Sequence, residues 1–171
     1  MVPSRPSPGG IVRRRAYQLL GHAVRRLYAV VYPLAVAYWR VRHPRTTSVL
    51  IVVCCRDQIL LVRHPYGRRE WMPPGGGVRR GEALDAAARR EVREEVGIEV
   101  PTLVRHGAVE SRFEGRHDTT WVFSTEVAKQ DFHADSWEIA EARWFAIPAI
   151  RASDAPMYRG LARCLKMVRR A

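Results

Sequence analysis

The chain has 171 residues, 47% of them apolar and 27% charged, and a formal net charge of +12. That length holds one domain and an appendage, and that balance excludes a chain disordered throughout. The three cysteines (Cys54 and Cys55 adjacent, Cys164 distant) contain no CxxC pair and no even-numbered framework. They argue against a zinc site or a disulfide scaffold, fit a reducing compartment and read as core residues.

The positive charge is gathered at one end. Residues 1–56 hold ten arginines and no acid, which makes that third +10; residues 57–171, with 19 basic and 17 acidic side chains, are only +2. A genomic bias towards arginine accounts for the residue type, since 27 of the 29 basic residues are Arg. It does not account for the missing acids, which suggest a polyanionic partner near the N-terminus.

Residues 1–10 (MVPSRPSPGG) read as a disordered tip. Residues 11–32 read as an amphipathic helix. Val12, Ala16, Leu19, Leu20, Ala23, Leu27, Val30 and Val31 recur on one side, and Arg14, Gln18, His22, Arg25 and Arg26 lie opposite. Pro33 is expected to end or kink it. A short apolar run, 34–39, follows and is closed by Arg40, Arg42 and Pro44. The uninterrupted apolar stretch from Leu27 to Trp39 is too short to cross a hydrocarbon core of roughly 30 Å. Three readings of residues 11–44 remain open: an interfacial helix on an anionic membrane surface, a helix that packs on the domain or dimerises, and a targeting segment.

The main domain is expected over residues 45–171. Residues 46–55 (TTSVLIVVCC) read as a buried strand, Asp57-Gln58 as a turn, and 59–63 as the second strand of a hairpin. Residues 65–70 form a polar loop, and Trp71 to Pro74 lead into Gly75-Gly76-Gly77. Residues 82–96 read as a helix with Leu84, Ala88, Val92 and Val96 on its apolar stripe, stopped by Gly97. Strands are expected at 101–113, 118–127 and 141–146. A last helix is expected at 156–169, capped by Asp154, with Met157, Leu161, Leu165 and Val168 inward. Mixed strands and helices predict an α/β fold with a mixed sheet and helices on its faces.

The chemistry is concentrated on the helix at 82–96. Glu91, Glu94 and Glu95 stand at i, i+3 and i+4 and so share one face. Taken alone, such a cluster is more often a solvated acidic face. A hard divalent cation neutralises it better than Arg90 and Arg93 do, because carboxylate oxygens suit Mg2+ and Mn2+. The glycines upstream let backbone carbonyls approach a ligand closely.

The full spacing decides between these. Gly76, five residues, Glu82, seven residues, Arg90-Glu91-Val92, one residue, Glu94-Glu95, one residue, Gly97-Ile98 match the Nudix box at every defining position. With Trp71 to Gly77 before it and Glu138 to Phe145 after it, the chain resembles the Nudix hydrolase family over roughly residues 46–150. The resemblance implies an α/β/α sandwich with a mixed sheet. It implies Glu94 and Glu95 as principal ligands of Mg2+ or Mn2+, and Glu91 as a third ligand or as the group that positions the attacking water. It also implies the Gly75 carbonyl as a backbone ligand, Arg90 as the residue that holds the carboxylates, Glu82 as a brace for the loop, and Gly76 and Gly97 as structural glycines. The implied activity is hydrolysis of a phosphoanhydride in a nucleoside diphosphate-linked substrate, with water activated by metal.

A general base outside the box is expected, with Glu138 first and Glu141, Glu114 and Asp118 as alternatives. His64, Arg68 and Arg69, and after them Arg112 and Arg116, are candidates to hold substrate phosphates. The competing readings are a Nudix-fold binding module without activity and a protein whose main task is lipid or partner binding through the N-terminal helix. The intact box argues against the first. The basic N-terminus leaves RNA 5′ ends open, although no interleaved aromatic and basic surface favours nucleic acid. Homodimerisation is left open, and a cytoplasmic location is expected, extending to the inner membrane surface.

Overall fold

The computed structural model describes residues 31–65, 69–113, 115–134, 138–151 and 153–169. The tip at 1–10 and all but the end of the helix expected at 11–32 lie outside the described residues, as do Arg68 and Glu114.

A helix, α1 (31–42), leads into the sheet. Its strands are β1 (Arg45–Cys55), β2 (Gln58–Arg63), β3 (Gly75–Gly77), β4 (Val104–Phe113), β5 (Arg116–Glu126) and β6 (Glu141–Ala146). Their order is β4-β5-β1-β2-β6, with β3 pairing β1 beside β2. β1 and β5 run parallel and the other pairs antiparallel. Three helices complete the chain: α2 (Leu84–Val96), α3 (Ile147–Arg151) and α4 (Leu161–Val168).

β1 is apolar almost without interruption because both its faces are covered. Val49, Ile51 and Val53 point to one core with Leu60, Val62, Phe123 and the α2 residues Ala87, Ala88, Val92 and Val96. Leu50 and Val52 point the other way, to Ile59, Leu61, Trp71, Val122 and the α4 residues Leu161 and Cys164. This period of two sorts side chains into two layers, and the result is the expected sandwich with a mixed sheet. Cys55 and Cys164 are buried and Cys54 half-buried, all three as free thiols.

Several boundaries differ from expectation. Pro33 does not end the described helix, which continues to residue 42; proline's fixed φ is itself helical. The apolar run after it is therefore helix. The β1–β2 turn is Arg56-Asp57, with Arg56 in the left-handed region at φ 56. The triple glycine is a strand because it lies along β1. Asp154 caps nothing, since α4 begins at Leu161 with Gly160 as its N-cap; proline at 156 and a turn at 159–160 hold the intervening chain out of helix.

Candidate active site

The register of β3 explains how the glycines serve the helix beside them. Ile51 N–H donates to the Pro74 carbonyl and Val78 N–H to the Thr47 carbonyl. Gly75 and Gly77 occupy the alternate rungs, opposite Leu50 and Ser48, so their own polar groups face away from β1. The N–H of Gly75 donates to Glu95 Oε2 at 3.1 Å, and the carbonyl of Gly77 accepts from Arg90 Nη2 at 3.0 Å. Extended geometry sends the Gly75 carbonyl to the same side as its N–H. Gly76 lies against Glu91, whose Oε1 would be 2.6 Å from a Cβ built there.

Arg90 organises the carboxylates. Its Nε and Nη2 fork Glu82 at 2.7 and 2.9 Å, while Nη1 reaches Glu91 at 2.6 Å and Glu94 at 3.2 Å. One planar guanidinium thus satisfies three acids and a strand carbonyl, which a point-charge ammonium could not do. Hydrogen bonds from Arg90 and from the Arg79 backbone hold the Glu82 carboxyl down at about 2, and Arg90 itself is raised, chiefly by Glu82. Arg79 also reaches Glu94 Oε1 at 3.5 Å. Gly97 closes the helix in the left-handed conformation, φ 67, with its N–H on the Arg93 carbonyl.

Around the Arg90 cation the acids still press on one another. Glu95 is almost fully buried, and burial, then the charges of Glu91, Glu138 and Glu94, push its carboxyl well up against the single hydrogen bond from Gly75. Burial raises Glu91, with Glu94 and Glu138 adding to it. Burial and Glu94 raise Glu138. Burial lowers His64 and so favours the neutral ring; Nδ1 is 3.0 Å from the Glu138 carbonyl oxygen and Nε2 is 3.8 Å from Glu95 Oε1. Buried carboxylates that repel one another are the donor set of a hard cation. By that chemistry Glu91 and Glu95, with half-exposed Glu94 and the Gly75 carbonyl, would suit a hard divalent cation. Among the described residues no three His, Cys, Asp or Glu side chains close on a single point, so ligation would require the carboxylates to draw together.

The glycine strand and Glu82 border a cleft of about 1270 Å³. Arg45, Arg112 and Arg116 line one side, Arg159 and Arg163 another, and Arg69, Arg79 and Arg80 the side next to the glycines, against only Glu70, Glu82, Glu110 and Asp118. Asp118 is spoken for: its carboxylate accepts from Thr46 (2.5 Å), Ser48 (2.6 Å) and Thr120 (2.7 Å). These hydroxyls face one way because β1 and β5 are in parallel register, Thr46 opposite Asp118 and Ser48 opposite Thr120.

Of the expected site residues, the structure brings together Gly75, Gly76, Glu82, Arg90, Glu91, Glu94, Glu95 and Glu138. His64 stands beside the carboxylates, and Arg69, Arg112 and Arg116 line the cleft. Glu141 is bound to Arg63 at 2.7 Å. Arg79, Arg159, Arg163 and the hydroxyl cluster around Asp118 escaped the sequence reading. Only Arg79, next to the glycines, carried a positional signal.

Comparison with known proteins accords with this geometry. A family model described as NUDIX domain matches residues 44–166. The NAD-capped RNA hydrolase NudC of Pseudomonas aeruginosa is 32% identical over 126 residues, which cover 72% of this chain and 44% of that protein. The chain therefore spans less than half the length of this relative. The oxidized purine nucleoside triphosphate hydrolase of Danio rerio is 33% identical over 111 residues, 63% of this chain and 69% of its own. The solved structure of the MutT protein from Methanosarcina mazei Go1 superposes with a TM-score of 0.65 at 25% identity, covering 74% of this chain and 95% of that one. The match over most of its length shows that the chain belongs to the NUDIX domain family.

Proposed function

We propose that the protein hydrolyses a phosphoanhydride bond in a nucleoside diphosphate-linked substrate, with Mg2+ or Mn2+ held by Glu91, Glu94, Glu95 and the Gly75 carbonyl. The observation that carries this reading is the single guanidinium of Arg90 gathering Glu82, Glu91 and Glu94 at the border of an arginine-lined cleft. The likeness to an NAD-capped RNA hydrolase and to an oxidized purine nucleoside triphosphate hydrolase supports it. In our reading the catalytic unit is residues 45–171, preceded by a basic helical segment at 11–44 and a tip at 1–10. The free thiols favour a cytoplasmic location.

A bound divalent cation would neutralise the diphosphate and acidify a water. The chain's own groups do the rest. The cleft arginines hold the phosphate oxygens and align the bond to be cut. Arg90 keeps Glu91 and Glu94 from swinging out to solvent. Glu138, raised by its surroundings, accepts a proton from the attacking water as the new P–O bond forms and the bridging P–O bond breaks. Two phosphorylated products leave. Thr46, Ser48 and Thr120, whose hydroxyls donate to Asp118, line the cleft, and hydroxyl oxygens suit the N–H and O–H donors of a base or ribose.

The test is product release from a panel of nucleoside diphosphate and triphosphate compounds, with Mg2+ or Mn2+, comparing the native chain with Glu94→Gln. Metal-dependent turnover abolished by the substitution is the expected result. Turnover that survives chelation or the substitution overturns the proposal. Metal binding without turnover on any compound supports the binding-module reading instead.

A further inference from the structure

Among the described residues five large apolar side chains stand mostly in solvent, and four of them are on α1: Val31, Leu34, Tyr38 and Val41, exposed by 49% to 79%. Their spacing of three, four and three residues places them on one helical stripe. The fifth, Val104, is isolated on β4.

The opposite face of α1 is anchored. Trp39 lies beneath the Arg116 guanidinium at 4.1 Å and packs edge-on to Tyr32. Gly115 approaches so closely that a Cβ there would be 2.6 Å from Arg40 Cα. Just past the helix, His43 Nδ1 is 3.0 Å from the Gly115 carbonyl oxygen. The helix is thus fixed against the β4–β5 hairpin with its apolar stripe turned outward, and Tyr32 and Arg116 connect it to the rim of the cleft.

We propose that the α1 stripe docks on an anionic lipid bilayer, with the apolar side chains entering the boundary between headgroups and acyl chains. Charge complementarity selects this occupant. Exposed Arg42 follows Val41 at the edge of the stripe, and no acid occurs in the sequence before Asp57, against ten arginines. Anionic headgroups meet those arginines favourably, and a like-charged second copy of the chain does not. No helix among the described residues is long and apolar enough to cross a membrane, and the proposed attachment is to the surface.

The experiment is co-sedimentation of the full chain with vesicles of phosphatidylglycerol and phosphatidylcholine in equal parts, and with phosphatidylcholine alone. Leu34→Glu with Val41→Glu is the test variant, and size-exclusion chromatography of both proteins accompanies it. Expected are binding to the anionic vesicles that weakens with salt, little binding to the neutral ones, and a loss of about tenfold or more in the variant. Turnover on soluble substrate should be unchanged, since neither residue touches the cleft. Leu34→Ser with Val41→Ser carries the same readout if the glutamates disturb the fold. Absence of binding to anionic vesicles overturns the proposal. So does binding that both variants retain, which places it outside the α1 stripe. A dimer that the variants dissolve also overturns it, because a second copy then covers the stripe.

Discussion

The carboxylate of Glu91 rests on the backbone of Gly76, with no room between them for even a methyl group: a Cβ on that glycine would lie 2.6 Å from Oε1. Gly76→Ala should therefore displace Glu91 while leaving the fold intact, because the group that must yield is the end of a side chain. The expected cost is about 1 kcal/mol in stability and on the order of a hundredfold in kcat. Chemical denaturation and steady-state kinetics on the same preparation separate the two.

Arg90→Ala removes one cation from three acids. The expected destabilisation is about 3 kcal/mol, the low end for a buried pair because Glu94 remains half in solvent. Arg90→Lys should restore only part of it, since an ammonium cannot fork Glu82 while reaching Glu91 and Glu94. Urea melts of the three proteins give the ordering, and equal stability of the native chain and the lysine variant would refute the role assigned to the fork.

Glu95 links pH to stability. Its carboxyl is held well above the ordinary 4.5, so its contribution to the folded state is complete below that value and is lost as pH rises through the raised one. In chelator, the native protein should lose stability between weakly acid and alkaline pH. Glu95→Gln should flatten that slope and raise Tm by a few degrees at alkaline pH, about 1 kcal/mol, while abolishing turnover. Added Mg2+ should stabilise the native chain and not the variant. Thermal melts across pH read both effects.

Glu138 and Glu141 separate general base from bystander. Glu138 shares the electrostatic field of Glu94 and Arg90, whereas Glu141 is bound to Arg63. Glu138→Gln should lower kcat by about 10²- to 10⁴-fold with KM little changed, and Glu141→Gln should leave both near the native values. The reverse ranking would move the base to the other residue.

What the sequence revealed followed from local rules. The stripe of α2, its glycine stop and the face shared by Glu91, Glu94 and Glu95 all depend on residues within one helix, where spacing dictates neighbours. The alternation and apolar run of β1 likewise announced a covered strand. The contents of the cleft were not legible, because Arg159 and Arg163 meet Arg45 and Arg112 only through the sheet topology, and no short spacing encodes that. Asp118 offered itself as a base by its type alone; two of its three hydroxyl partners, Thr46 and Ser48, come from a strand some seventy positions away in the chain. The glycines looked like loop because glycine disfavours strand, and pairing with β1 overrode that preference. Pro33 stands inside the described helix, because its fixed φ is itself helical and a proline does not by itself end a helix.

The parallel pairing of β1 with β5 also has a consequence for biosynthesis. Thr46 and Ser48 on one strand must wait for Asp118 and Thr120 on the other, with a separation of 72 residues between Thr46 and Asp118. The whole of α2, box included, lies within the loop that this pairing closes. A nascent chain that stops short of Arg116 can wind α2 but has no partner for that edge of β1 and no Asp118 side of the cleft. Emergence of β5 from the ribosome is therefore the step at which the hydroxyl cluster and the cleft it lines can first assemble, and closure of so large a loop predicts slow folding for a domain of this size.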